Sequence, residues 1–187
     1  SNFSNEKRDY DRNRKNLFVN LGAEYNIDEN TSLTLSGFHR DSDRNSLVST
    51  SIETITSMGT FNSDRFEDEI ELDKTKQFTA NYTKKFDDKG HELVAEFQYE
   101  ESNENEDSDI MSSTPEEVST MESQKRVLYQ VDYVWPVDKK TQFEIGYRGN
   151  FKTQKNDYQV NIEENNVFVL NTDLSNVLVY TENVNAA

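Results

Sequence analysis

Apolar and polar residues alternate along this chain in paired runs joined by short turns, the period-two signature of strands with one oily and one wet face. In the first pair Leu17, Val19, Leu21, Ala23, Tyr25 and Ile27 share one face, while Asn16, Asn20, Gly22, Glu24 and Asn26 share the other. Asp28, Glu29 and Asn30 turn the chain, and it returns with Leu33, Leu35 and Gly37 opposed by Thr34, Ser36 and Arg40. Phe18 and Phe38 break the pattern, because they fall on the polar face. In the second pair Phe78, Ala80 and Tyr82, then Leu93, Ala95, Phe97 and Tyr99, form the apolar side around an Asp87-Asp88-Lys89-Gly90 turn. Gly90 suits that turn because it takes positive φ without a steric penalty. The third pair runs through Val127, Tyr129, Val131, Tyr133 and Trp135 into Pro136, and returns as Phe143, Ile145, Tyr147, Gly149 and Phe151.

These pairs predict hairpins over about 16–40, 76–101 and 125–153, in one segment covering 1–187. Between them the segments 41–74, 102–123 and 153–179 are polar, lack the alternation, and read as long loops. Loops of that length are uncommon in compact domains and normally have a function. Thr114-Pro115-Glu116-Glu117 has the order of an N-cap, a first-turn proline and a capping-box glutamate, which predicts a short helix carrying Val118 and Met121. Thr54, Ile55, Met58 and Phe61 in the first loop, and Tyr158, Val160 and Ile162 in the third, are able to extend the flanking strands into water.

Composition sharpens this picture. Only 33% of residues are apolar, and 36 acidic against 20 basic side chains leave a net charge of -16. The mean hydropathy is -0.95. Such values usually accompany disorder, yet nine Tyr, eleven Phe and one Trp are present and fall largely at alternate positions. The acidic balance argues against nucleic acid as a partner, since phosphate binding needs clustered Lys and Arg; Lys7, Arg8, Arg12, Arg14 and Lys15 are interleaved with Asp9 and Asp11. There is no cysteine, hence no disulfide and no thiolate chemistry. No apolar run approaches the roughly 20 residues of a spanning helix. The opening residues carry no signal-peptide core and no initiator Met, so a mature or excised piece is expected.

Strands that cross a bilayer must close into a barrel, because hydrocarbon satisfies no backbone N–H or C=O. The imprint on sequence is weak alternation over about ten residues per strand, short turns on one side, longer connections on the other, and interfacial aromatic girdles. Each hairpin matches, and Tyr25, Tyr82, Phe86, Tyr133, Trp135 and Phe143 gather near the short turns. The expected fold is therefore all-β: an antiparallel up-and-down meander of about six to eight long strands, part of a transmembrane barrel.

The phrases Tyr82-Thr83-Lys84-Lys85-Phe86-Asp87-Asp88-Lys89-Gly90-His91-Glu92-Leu93, Asp132-Tyr133-Val134-Trp135-Pro136, Phe143-Glu144-Ile145-Gly146-Tyr147-Arg148-Gly149 and Tyr180-Thr181-Glu182-Asn183-Val184-Asn185-Ala186-Ala187 resemble the outer-membrane barrel family related to TonB-dependent receptors. The resemblance implies a bacterial outer-membrane location, an internal portion of a barrel of about twenty-two strands, a plug, energy supplied through TonB, and nutrient uptake. Outer-membrane lipid, the remainder of the barrel with its plug, and TonB are the implied partners. No plug, TonB-contacting segment or terminal aromatic strand is recognisable here, and the matching phrases mark turns and girdles, so no transport residue is carried over.

On the polar face Arg40, Glu96, Asp132, Glu144, Arg148 and Lys152 are the candidate lumen residues, read first as cross-strand bracing and second as a surface that touches solute or plug. His39 and His91 have no partner at metal-ligand spacing. Asp41-Ser42-Asp43-Arg44-Asn45 opens like a calcium loop, but Ser46 and Ile52 stand where glycine and a bidentate glutamate are needed. The acidic run Glu100 to Asp109 reads as a solvated, mutually repelling loop. No catalytic, cofactor or metal site is expected, and the chain is not expected to be an enzyme. Two rival architectures share the alternation: a soluble antiparallel β-sandwich that binds a ligand in the cell envelope, and a self-assembling surface protein. An isolated fragment with raw sheet edges is expected to self-associate.

Overall fold

A computed structural model of the protein describes residues 3–187. Its strands are β1 (Phe3–Asp28), β2 (Thr31–Thr56), β3 (Gly59–Lys85), β4 (Glu92–Met111), β5 (Glu116–Pro136), β6 (Gln142–Glu164), β7 (Val167–Leu170) and β8 (Asn176–Ala186). They form one eight-stranded sheet in sequence order from β1 to β7, with β8 also paired to β6. Every pairing is antiparallel. β7 and β8 occupy successive stretches of the same β6 edge, and residues 171–175 bulge out between them. There the Asn171 N–H donates to the Val160 carbonyl, and the Val160 N–H donates to Ser175 Oγ.

The meander agrees with the expected fold class, but its strands are far longer than the hairpins read from sequence. Segments 41–74 and 102–123 are not loops: they are the outer halves of β2 through β5, turning at Ser57-Met58 and again at 112–115. Segment 153–179 holds the rest of β6, a turn at Asn165-Asn166, β7, and the start of β8. Both asparagines have positive φ, 53° and 65°, as a two-residue hairpin turn requires. The expected short helix is absent as well. Pro115 ends a Ser112-capped turn, and Glu116 to Met121 pair in β5 with Ile110 to Asn105. A one-turn helix must offset its nucleation cost with few hydrogen bonds, whereas each residue added to an existing ladder is paired at once.

Residues directly opposite in an antiparallel ladder share a face. Register therefore aligns the apolar positions of separate hairpins into rows. One row runs Leu21, Gly37, Phe78, Tyr99, Val127, Phe151; two rows nearer the short turns lie Tyr25, Leu33, Tyr82, Ala95, Val131, Tyr147. The row above the first is His39, Lys76, Glu101, Lys125, Thr153, where the apolar band stops on β2 through β6. Val127 to Trp135 spans about 26 Å along β5 at ~3.3 Å per residue, or ~20 Å of membrane depth at the usual tilt. That approaches the hydrophobic height of an outer-membrane wall. Beyond the charged row β2 to β5 stand on with water-compatible residues dominating both faces, whereas β7 (Val167 to Leu170) and the start of β8 (Val177 to Tyr180) are apolar on both.

No second layer covers the band among the described residues: Leu21 is 72% exposed and Ile145 71%. The only buried apolar side chains described are Ile110, Leu128 and Val160. A sandwich core needs two sheets packed about 10 Å apart, and one sheet with its oily face bare does not supply it. At the short-turn end an aromatic cluster closes the band. Phe86 packs tilted against His91 with ring centroids 4.5 Å apart, Trp135 lies 6.2 Å from Phe143, and His91 Nε2 is 2.7 Å from the Tyr133 hydroxyl. Gly90, at φ 92°, allows the turn that brings His91 back under Tyr133.

Candidate functional site

Register puts Arg40, Glu96, Asp132, Glu144, Arg148 and Lys152 on the face opposite the apolar band. Arg40 faces Phe18 and Thr75; Glu96 faces Asn81 and Gln130; Asp132 faces Val94 and Gly146. Glu144 faces Val134, Arg148 faces Gln130, and Lys152 faces Arg126 and Glu182. They are spread over β2, β4, β5 and β6 and do not converge on one point. Among the described residues only Arg40 of this set forms an ion pair, reaching diagonally to Asp73. Asp132 instead accepts from the Gln130 side-chain amide at 2.6 Å.

The densest charge cluster lies higher on the same face, in segments that the sequence reading took for loops. Arg44 pairs with Glu69 at 3.0 Å and with Glu71, while Arg40 holds Asp73. Glu104 faces Asp73 and Glu122, and Glu106 faces Glu71. Carboxylate oxygens of Glu71, Glu104 and Glu106 lie within 4.8 Å of one another. Burial holds the carboxyls of Glu104 and Glu106 above their ordinary value. Neighbouring charge adds to this, from Glu71 and Glu122 on Glu104 and from Glu69 and Glu71 on Glu106, while Arg44 and, for Glu104, Arg40 oppose it. Such crowding is sustained because Arg40 and Arg44 bridge β2 to β3 from within. The available signal was alternation of acidic and neutral residues: within Glu100 to Asp109, Glu104 and Glu106 take one face, and Asn103 and Asn105 the other.

Lower down, opposite the apolar band, charge is unevenly distributed. The polar face of β4 to β6 carries Glu96, Glu100, Arg126, Asp132, Arg148 and Lys152. At the same heights β1 to β3 present Asn20, Gly22, Thr34, Ser36, Phe38, Gln77, Thr79 and Asn81, with Glu24 opposite Thr34 as the one charge. Asn20, Ser36, Phe38, Gln77 and Thr79 line an open hollow of about 260 Å³. Turn carboxylates behave differently from the crowded glutamates. Asp28 is held below its ordinary value, chiefly by the Thr31 hydroxyl and the Asn30 N–H, and Asp87 chiefly by the Lys89 N–H.

No curated protein matches the chain. A family model described as an outer membrane protein beta-barrel family matches residues 84–187, from the end of β3 through β8. That stretch includes the aromatic cluster and three complete strands of the uncovered band. With a single two-faced sheet, an apolar strip of membrane height and more than half of its length matched, the chain belongs to the outer membrane protein beta-barrel family.

Proposed function

We propose that this outer-membrane barrel wall belongs to a bacterial TonB-dependent receptor-like transporter that takes up nutrients, and that its role is non-catalytic. The observation that carries the reading is the two-faced register: in-register apolar rows such as Leu21-Gly37-Phe78-Tyr99-Val127-Phe151 back onto a polar, charged face. Lipid touches the first face and water fills the space behind the second. Two further features support a wide transport barrel over a small closed one. The sheet does not close on itself, since β1 pairs only with β2 and β8 only with β6. A membrane barrel tolerates no open edge, so more strands complete the wall. The strands also continue tens of ångströms past the charged row, a palisade that suits capture of solute outside the cell.

In this reading the turns at 29–30, 86–91 and 137–141 face the periplasm, and outer-membrane lipid, the rest of the barrel, a plug and TonB are the partners. Purified full-length protein tests it. It should shift on gels with heating, as folded barrels do, and bind the isolated periplasmic domain of TonB. Heat-shifted protein without TonB binding would remove the energised-uptake reading while leaving the barrel intact.

A further inference from the structure

We propose that the uncharged hollow on the polar face of β1 to β3 holds a subsite for an uncharged sugar ring, with Phe38 as its platform and Asn20, Ser36, Gln77 and Thr79 as its hydrogen-bonding rim. The proposal rests on the reading above, in which this face borders the aqueous lumen. Phe38 is an anomaly on that reading: it stands opposite Asn20 and Gln77, among polar residues, on the side away from lipid. Phe18, two residues from Asn20 on the same face, is 60% exposed. Nothing in the ladder requires an aromatic ring at either position; Phe38 is half-buried, and Phe18 turns most of its apolar surface to water.

The hollow beside Phe38 is about 260 Å³, just under the roughly 300 Å³ at which drug-sized pockets begin, which leaves room for one ring. Its lining carries no charge, in a chain of which 30% is charged. An ionic solute would give up hydration there without a charged partner, at a large cost. A sugar fits both halves of the lining. Its ring C–H face is apolar and packs flat on an aromatic, while its hydroxyls donate and accept. Side-chain amides and hydroxyls also donate and accept, so Asn20, Gln77, Ser36 and Thr79 complement such a rim in either sense. Charge borders this hollow without lining it: Arg40 follows Phe38 on the same face of β2, Glu24 stands one row below Ser36 on β1, and Glu100 faces Gln77.

Full-length protein in a sugar-free detergent micelle, with maltotriose as the probe, tests the idea by saturation-transfer NMR and calorimetry. Ring C–H protons of maltotriose should receive transfer, and glucuronate and glucosamine should bind at least tenfold more weakly. Phe38→Ala should weaken maltotriose at least tenfold, Phe38→Trp should retain it, and Gln77→Ala should weaken it severalfold. Heat-shifted migration on gels reports folding of each variant. Folded wild type that ignores maltotriose, equal binding by folded Phe38→Ala, or equal affinity for the charged sugars would each overturn the subsite. Absence of the heat shift in wild type would instead remove the lumen reading beneath it.

Discussion

Arginine placed at Val131 should separate this wall into a part that meets lipid and a part that does not. Val131 lies on the apolar face of β5, with Val127 and Tyr129 toward the outer end and Tyr133 and Trp135 toward the short turn. From Lys125, at the charged row, it is about 20 Å along the strand at ~3.3 Å per residue, or ~15 Å of depth at the usual tilt. That is close to mid-membrane, where an arginine on the lipid face of a barrel costs about 2–4 kcal/mol. At about 1.4 kcal/mol per decade, the folded-to-unfolded ratio should fall about 30- to 700-fold. Leu47 lies on the same face, but in the outer half of β2, opposite Asp11 and Asp68. Leu47→Arg meets water and nearby carboxylates, so its cost should be near zero. Ile145→Arg sits one row nearer the aromatic girdle and should cost less than Val131→Arg. Urea unfolding of the full-length protein in lipid vesicles, together with heat-shift gels, measures all three. Equal effects at Val131 and Leu47 would show that the band boundary is misplaced; no effect at Val131 would show that lipid does not touch this face.

Arg44→Ala leaves Glu69 and Glu71 without their shared counter-charge; hydrogen exchange should quicken in the outer halves of β2 to β4 and stay unchanged in the apolar band. Glu104 and Glu106 titrate above their ordinary value when folded, so the folded outer sheet binds more protons than the unfolded chain between the two values. Their repulsion is relieved as pH falls through that interval and restored as pH rises through the folded value, so thermal stability should increase from pH 7 to about pH 5. Glu104→Gln should raise stability at pH 7 and flatten that slope. Asp28 and Asp87, shifted the other way, withdraw stability only at pH below the ordinary aspartate range. A Cβ at Gly149 would lie 2.6 Å from Tyr129 Cζ, and Tyr129 stacks on Tyr147 at 5.8 Å and on Phe151 at 5.6 Å. Gly149→Val should displace that ring at a cost of about 0.5–1.5 kcal/mol per lost aromatic pair. Gly37→Val, where the nearest atom is the Gln77 carbonyl oxygen at 3.9 Å, should be tolerated; urea unfolding in vesicles distinguishes the two.

The sequence by itself determined the part of this protein that lipid would touch. Hydrocarbon on one side and water on the other force alternation, so Leu17 to Ile27, Phe78 to Tyr82 and Val127 to Trp135 declared their strands and faces, and Gly90 declared its turn. Only the tertiary structure decided what lies above the charged row. With solvent on both sides, hydropathy no longer has to alternate, so β2 through β6 continued through segments whose strand signal was limited to residues such as Thr54, Ile55, Phe61, Tyr158, Val160 and Ile162. The capping pattern at Thr114-Pro115-Glu116-Glu117 was a correct local preference, overridden because the ladder from Ile110 to Asn105 was already there to pair with. The candidate polar-face residues could be assigned a face from parity alone, but not neighbours. Register alone brought Arg44 to Glu71 and Glu106, and set Phe38 among Asn20, Ser36, Gln77 and Thr79, because pairing across strands depends on turn length and bulges that a linear pattern does not encode.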